Sequence, residues 1–221
     1  MMQNNLPFVT QDMFEVERPE LPFAPGALLL PGFALDVEET LLAALDKVIE
    51  AAPFRHMLTP GGHPMSVGMT NCGEFGWVTD RTGYRYDHFD PESRQPWPEM
   101  PKVFRGLAAR AAQKAGYENF APDACLINRY LPGAKMGLHQ DKDEKDFTAP
   151  IVSVSLGLPA TFLFGGGKRN DPAQVLLLQH GDVAVWGGPS RLFFHGIRPL
   201  KAGQHEKLDG QRINLTFRKI S

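Results

Sequence analysis

From residue 124 to its end the chain breaks into short runs of alternating apolar and polar residues, each closed by glycine or proline. Successive side chains of a strand point to opposite faces, whereas a helix repeats every 3.6 residues. The alternation therefore predicts strands at 125–130, 151–158, 161–164, 175–179, 182–186, 192–195 and 212–218. Turn residues at PGA, GGG, HGD and WGGP separate them. Nineteen prolines and 22 glycines in 221 residues suit such a chain better than a helical bundle. The expected fold class is mainly β with flanking helices, an antiparallel sandwich or jelly roll.

The first half has a different rhythm. Residues 1–25 are read as an irregular leader. Asp36 then offers an N-cap, with Glu39 as its capping-box partner. Leu41, Leu42, Leu45, Val48 and Ile49 follow at helical spacing, and Pro53 ends the run. Residues 54–98 mix Gly, Pro and aromatics without clean periodicity, which predicts short strands and loops. A second helix is expected to start at Pro101, to carry Val103, Leu107, Ala108 and Ala111, and to stop at Gly116. The expected layout is a leader at 1–25, helices and a lid at 26–120, and a β core at 121–221 that forms one unit with the lid.

Composition removes several classes. Cys72 and Cys125 make neither a metal cluster nor a disulfide framework, so a reducing cytosol is the expected location. The opening MMQNNLPFVTQDMFEVERPE lacks a basic segment followed by an apolar run, so no secretion signal is expected. No stretch reaches the ~20 apolar residues that span a bilayer. A net charge of −2 gives no hint of nucleic acid, but the distribution is uneven. Residues 1–50 hold nine acids against two bases, and the other 171 hold 16 acids against 21 bases. The β-rich part is mildly basic, as a nucleic-acid enzyme would be.

The chemistry begins with metal ligands. Two histidines and one carboxylate on one face of a metal leave the other face open for cosubstrate and oxygen, the arrangement of non-haem Fe(II) oxygenases. An i, i+2 pair on a strand can supply two of the three, giving His-x-Asp. That sequence occurs three times, as His88-Phe89-Asp90, His139-Gln140-Asp141 and His180-Gly181-Asp182. The first runs into Pro91 in a loop stretch, and the third reads as a turn entering a strand. The second follows a Pro-Gly turn and lies 54 residues before His195. By spacing alone it is no more specific than a solvated acidic loop, since Lys142, Asp143, Glu144 and Lys145 follow.

The last strand adds a second signal. In Arg212–Arg218 the residues Arg212, Asn214, Thr216 and Arg218 share one face, and Ile213, Leu215 and Phe217 share the other. A polar face on a strand usually meets solvent. Two arginines on it also suit a dicarboxylate, because each guanidinium fork pairs bidentately with a carboxylate. 2-Oxoglutarate has two carboxylates and a keto oxygen, and so can bridge such a row and reach an iron. Leu126, Asn128 and Tyr130 share a face of the strand at 125–130, which brings an amide and a phenol into play.

At this level of detail the chain resembles the AlkB family of alkylation-repair dioxygenases, its bacterial members in particular. The matching stretches are TPGGHPMSVGMTNCGEFGW, PWPEMP, PDACLINRYLPGAKMGLHQDKDE, APIVSVSLGLPA, FGGGKRNDP, HGDVAVWGGPSRLFFHGI and RINLTFR. They cover nearly everything from about residue 25 to 218; the leader and residues 203–211 match least, and nothing is carried onto them. The resemblance implies a double-stranded β-helix (cupin-like) core. It implies Fe(II) on His139, Asp141 and His195, with 2-oxoglutarate and O2 as cosubstrates. Arg212, helped by Tyr130, would take the distal carboxylate, and Arg218, Asn128 and Asn214 the end near the metal. Trp77, Tyr84 and Tyr86 would belong to a substrate lid, Trp77 stacking on a flipped base opposite the His139 ring. Asp143 would accept from the exocyclic amine, and Arg169 would position the nucleotide.

The function so implied is oxidative dealkylation of bases such as N1-methyladenine and N3-methylcytosine, releasing aldehyde, succinate and CO2. The expected partner is alkylated DNA, single-stranded in preference, with RNA left open. Neither a membrane nor an obligate protein partner is expected, and the chain is read as a monomer. Three other readings compete. A related dioxygenase would act on protein or small molecules, and a nucleic-acid-binding module would carry a vestigial metal site. A cupin-like Zn or Mn enzyme would lack the paired arginines of the last strand.

Overall fold

The computed structural model describes residues 18–221. Most of the expected leader, residues 1–17, lies outside the described residues. Its end is not irregular: Leu21–Ala24 form strand β1, which pairs antiparallel with β2 (Ala27–Leu30) across a tight turn at Gly26. Three more strands precede the second helix, β3 (Gly68–Gly73), β4 (Gly76–Asp80) and β5 (Gly83–Asp87). The C-terminal half contributes β6 (Ala124–Tyr130), β7 (Met136–His139), β8 (Ile151–Gly157), β9 (Ala160–Phe164) and β10 (Gln174–Leu178). It continues with β11 (Val183–Trp186), β12 (His195–Ile197) and β13 (Arg212–Arg218).

These last eight strands, joined by β1, β2 and β3, make two antiparallel sheets. One has the order β1-β2-β11-β8-β13-β6-β3 and the other β10-β9-β12-β7. Following the chain, β6 enters the large sheet, β7 the small, β8 the large, β9 and β10 the small, β11 the large, β12 the small and β13 the large. That alternation is the double-stranded β-helix. The hairpin β4–β5, within the region expected to be a lid, is a separate pair, with Trp77 opposite Tyr86 and Thr79 opposite Tyr84.

The large sheet has two buried faces with different contents. Ile213, Leu215 and Phe217 point outward onto the helices α1 (Glu38–Ala51) and α2 (Lys102–Lys114), against Leu41, Leu45, Phe104 and Leu107. The other face meets the small sheet, where Phe162, Phe164, Leu176 and Leu178 pack against Trp186 and Ile151. Arg212, Asn214, Thr216 and Arg218 lie on this inner face and are all buried. The polar side of the last strand is therefore interior and not a solvated surface.

Both helices form where the periodicity puts them, with one correction. Asp36 is not the N-cap of α1. A 3-10 turn at Leu35–Val37 precedes the helix, Val37 occupies the cap without a side-chain bond, and Asp36 reaches across to Arg110 of α2 at 2.7 Å. An ion pair with the neighbouring helix has won over the local cap. α2 closes as expected: Gly116 has φ +87°, its N–H donates to Gln113, and the Tyr117 N–H donates to Ala112, the paired bonds of a Schellman end.

The strand expected at 192–195 is displaced. The turn at Gly188–Ser190 runs on through Phe193, whose N–H donates to Ser190, so pairing starts only at His195. There His195 faces His139, but Ile197 faces Met136, which leaves one extra residue on β7. A bulge of this kind re-aims side chains beside active sites. It requires Gly196, where a Cβ would sit 2.7 Å from the Met136 carbonyl oxygen.

Candidate metal centre

Strand pairing alone brings two imidazoles together. His139 and His195 are cross-strand partners of β7 and β12, and their ring centroids lie 4.4 Å apart. Asp141 follows the end of β7 and closes the triangle. Its carboxylate oxygens lie 3.6 Å from Nε2 of His139 and 3.7 Å from Nε2 of His195. These separations are too long for hydrogen bonds. One ligand atom from each residue lies within 4.8 Å of the others, and no second such group occurs among the described residues.

The protons are arranged for a metal. Nδ1 of His139 lies 2.9 Å from the Gly137 carbonyl, and Nδ1 of His195 lies 3.0 Å from the Phe193 carbonyl. A carbonyl only accepts, so each Nδ1 carries the hydrogen and each Nε2 presents a lone pair. Burial, then the neighbouring His139, pushes the His195 pKa down to about 4, which keeps that ring neutral. Burial works to raise the Asp141 pKa, but Arg218 and then the two histidines hold it well below the usual carboxylate range. The set comprises two imidazoles and one carboxylate on one side of an open cavity, which fits Fe(II) with free positions.

The other two His-x-Asp sequences are structural. Nδ1 of His180 accepts from the Gly157 N–H at 2.8 Å, and its Nε2 lies 2.7 Å from Glu38. Asp182 is fully buried and accepts from the Gly32 and Gln179 N–H groups and from Arg18. His88 meets the Glu74 carbonyl and the Phe75 ring, and Asp90 is paired with Arg55.

Around the metal triangle lies a cavity of about 390 Å³ lined by every site residue that the resemblance implies except Tyr86. On its wall Arg212 is only 1% exposed. Nη2 donates to Ser155 at 3.0 Å, while Nε and Nη1 have no acceptor. Its Cζ lies 5.0 Å from the centroid of the Tyr130 ring, and burial lowers its pKa. Among the described residues no carboxylate pairs with it. A buried guanidinium with two idle donors is costly unless an anion joins it. The Asn128 carbonyl oxygen on the same wall is also without a partner. Asn214, by contrast, is saturated by Ser153, Val154 and Thr216. Arg218 already holds Asp141, through Nε at 3.1 Å and Nη2 at 2.7 Å. The residues present fit a dicarboxylate reaching from Arg212 to the metal.

The β4–β5 hairpin lines the opposite wall. Trp77 stacks on Tyr84 at 5.6 Å, and its indole N–H donates to Asp143 at 2.9 Å. Arg169 is exposed at the mouth, donates to the Leu138 carbonyl and lies over Phe194. Tyr86 sits on the same hairpin as Trp77 and Tyr84, but its hydroxyl donates to Glu144 at 2.7 Å and the residue does not line the cavity. Two buried charges, Glu144 and Arg191, escaped the sequence reading. No periodicity marks either, although an arginine four residues before a ligand histidine was an available hint.

Comparison with known proteins agrees with this geometry. The family model described as the 2OG-Fe(II) oxygenase superfamily matches residues 26–218. The alpha-ketoglutarate-dependent dioxygenase AlkB of Escherichia coli (strain K12) is 59% identical over 94% of this chain and 97% of its own length. The protein of the same name from Salmonella typhimurium is 57% identical over 95% and 98%. The solved structure of OsALKBH1 superposes with a TM-score of 0.79 at 30% identity, covering 91% of this chain and all of that one.

Proposed function

The chain belongs to the AlkB family of 2OG-Fe(II) oxygenases, and from that premise we propose that it removes alkyl groups from damaged bases of DNA. The observation that carries this reading is one cavity holding the His139–Asp141–His195 triangle, an anion-seeking Arg212 and an aromatic lid. When bound, Fe(II) with 2-oxoglutarate and O2 supplies the oxidation: 2-oxoglutarate leaves as succinate and CO2, and the hydroxylated alkyl carbon leaves as aldehyde, restoring the base.

The chain's own residues do the rest. His139, Asp141 and His195 hold the metal through Nε2 and carboxylate oxygens. Arg212, with Tyr130, takes the distal carboxylate of 2-oxoglutarate, while Asn128, Asn214 and Arg218 border the end near the metal. The base must leave its stack to bring its alkyl group here. Trp77 offers it a face across from the His139 ring, and each such stacking platform is worth about 1–3 kcal/mol. Tyr84 backs Trp77, and Arg169 sits where the nucleotide backbone would enter. Asp143, released from the indole, accepts the exocyclic amine. Its charge favours N1-methyladenine and N3-methylcytosine, which are cations. Single strands are preferred in this reading because an unpaired base costs less to extrude. No second chain is needed, since one chain supplies all these groups. The cytosol suits buried free thiols at Cys72 and Cys125.

The test is to offer oligonucleotides carrying N1-methyladenine, N3-methylcytosine or etheno adducts, as DNA and as RNA, single- and double-stranded, and to follow product masses. Restoration of adenine and cytosine with equimolar aldehyde is expected, single-stranded DNA leading. Succinate production unaffected by any of them would contradict the reading and favour a protein or small-molecule substrate.

A further inference from the structure

The segment from Asp141 to Ala149 carries every acid of the site yet contains no strand or helix. Its shape is set from outside, by Arg191 in the connector between β11 and β12, four residues before His195. Arg191 is 2% exposed. Its Nη1 donates to the Asp141 carbonyl at 2.8 Å, and its Nε donates to the Ala149 carbonyl at 3.0 Å. Nη2 lies 3.3 Å from Glu144, and Cζ lies 5.4 Å from the centroid of the Phe147 ring. One guanidinium thus grips the segment at both ends and at two points between.

Glu144 is the other half of the unit. Its buried carboxylate meets Arg191 on one side and Nε of Arg218 at 3.3 Å on the other. It also accepts from Tyr86 of the lid hairpin. Neither Arg191 nor Glu144 lines the cavity, so neither acts by touching substrate or cosubstrate. A buried ion pair is a poor source of stability, because desolvation offsets most of its attraction. Geometry is what it supplies here: a planar fork aimed at two carbonyls cannot be replaced by a point charge.

We propose that Arg191 and Glu144 are positioning residues, Arg191 fixing the Asp141 backbone where its carboxylate meets His195, and Glu144 tying the nucleotide lid to the same cation. The inference rests on the iron reading of the triangle. Arg191 joins the two ligand-bearing segments directly, and the Gln140 side chain returns the link by donating to the Leu192 carbonyl. Glu144 extends that frame to the lid, so the metal site and the base-binding wall share one internal strut.

The experiment uses the full-length chain and Co(II) as an anaerobic spectroscopic probe of the metal site. Arg191→Met keeps the stem and removes the donors. Arg191→Lys keeps the charge but cannot span both carbonyls. With unchanged far-UV circular dichroism, both should bind Co(II) about 10- to 100-fold more weakly than the parent, as expected when partners of metal ligands are removed. Arg110→Met, which breaks an ion pair between the two outer helices, should bind Co(II) like the parent. Glu144→Gln should raise KM for a methylated oligonucleotide more than it lowers kcat. A folded Arg191→Lys with parental Co(II) affinity would overturn the proposal. So would an Arg191→Lys that fails to fold, which would make the residue a support of the whole sheet. Failure of the parent itself to bind Co(II) would instead remove the metal reading beneath it.

Discussion

At the scale of single residues, three His-x-Asp sequences compete for one metal, and a second imidazole that shares the same carboxylate separates them. His139 and His195 both turn Nε2 toward Asp141, whereas His180, although its ring lies 4.3 Å from that of His205, has both ring nitrogens engaged by the Gly157 N–H and Glu38. Replacing His139 or Asp141 with Ala should abolish aldehyde release. Replacing His88 should leave release intact, and replacing His180 should lower Tm while leaving it intact, since His180 ties the Gly157 N–H to Glu38 and packs on the His205 ring, away from the metal triangle. Formaldehyde assays beside thermal melts check this, and equal losses from His139→Ala and His180→Ala would mean the wrong pair was chosen. Arg212→Ala should raise the half-saturating 2-oxoglutarate concentration by about 10- to 100-fold, the worth of a charge-assisted bond of about 1.5–3 kcal/mol. Initial rates against 2-oxoglutarate measure it; an unchanged requirement would remove the dicarboxylate role. Arg212, Asn214 and Arg218 were legible as a row because strand alternation assigns faces from sequence alone. Glu144 was not, because no local rule distinguishes it from its exposed neighbours Asp143 and Lys145. Its burial depends on Arg191, 47 residues away.

At the scale of elements, the β4–β5 hairpin shows how packing fixes a wall that propensity leaves vague. Trp97 lies beneath it, 5% exposed, its indole N–H donating to the Asp87 carbonyl at 3.0 Å. Gly76 presses on that ring so closely that a Cβ would come within 2.3 Å of it. Gly76→Ala must displace the indole or the strand, at a cost of about 1–3 kcal/mol for overpacking. A lowered Tm together with a raised KM for methylated oligonucleotide is expected; parental values for both would show that the contact is loose. Residues 54–98 show no strand boundaries in the sequence because β3 pairs with the distant β6 and the β4–β5 hairpin packs on Trp97, contacts that leave no period along the chain. β1 was lost within the leader because four residues are too few to show a period; among the described residues it is an edge strand paired with β2 alone.

At the scale of the whole molecule, alternation predicted two sheets, and it left their order open, since period two says which face is buried and not which strand pairs with which. The order is what places β13 between β8 and β6, with its arginines over the cavity. The end of that strand is tied down by Asp123, which accepts from the Ile220 and Ser221 N–H groups and from Lys219. Burial works to raise the Asp123 pKa, yet Lys219 and the Ser221 and Ile220 bonds hold it below its ordinary value of 3.8. A depressed folded pKa contributes stability that is present above the unfolded value and lost as pH falls through the folded one. Asp123→Asn should therefore be less stable than the parent at pH 7, with the gap closing on acidification below the ordinary carboxylate range. Denaturant melts across that span measure it, and a constant gap would show that the ion pair and not the shape of the turn is irrelevant. The account as a whole stands on two imidazoles and an aspartate gripping one iron beside a guanidinium that awaits a diacid. Anaerobic titration of the apoprotein with Fe(II) and 2-oxoglutarate addresses that directly. A weak visible charge-transfer band that saturates at one iron and one 2-oxoglutarate per chain, and is lost in Asp141→Ala, is the expected result. No band in the parent chain, or a full band in Asp141→Ala, would contradict it.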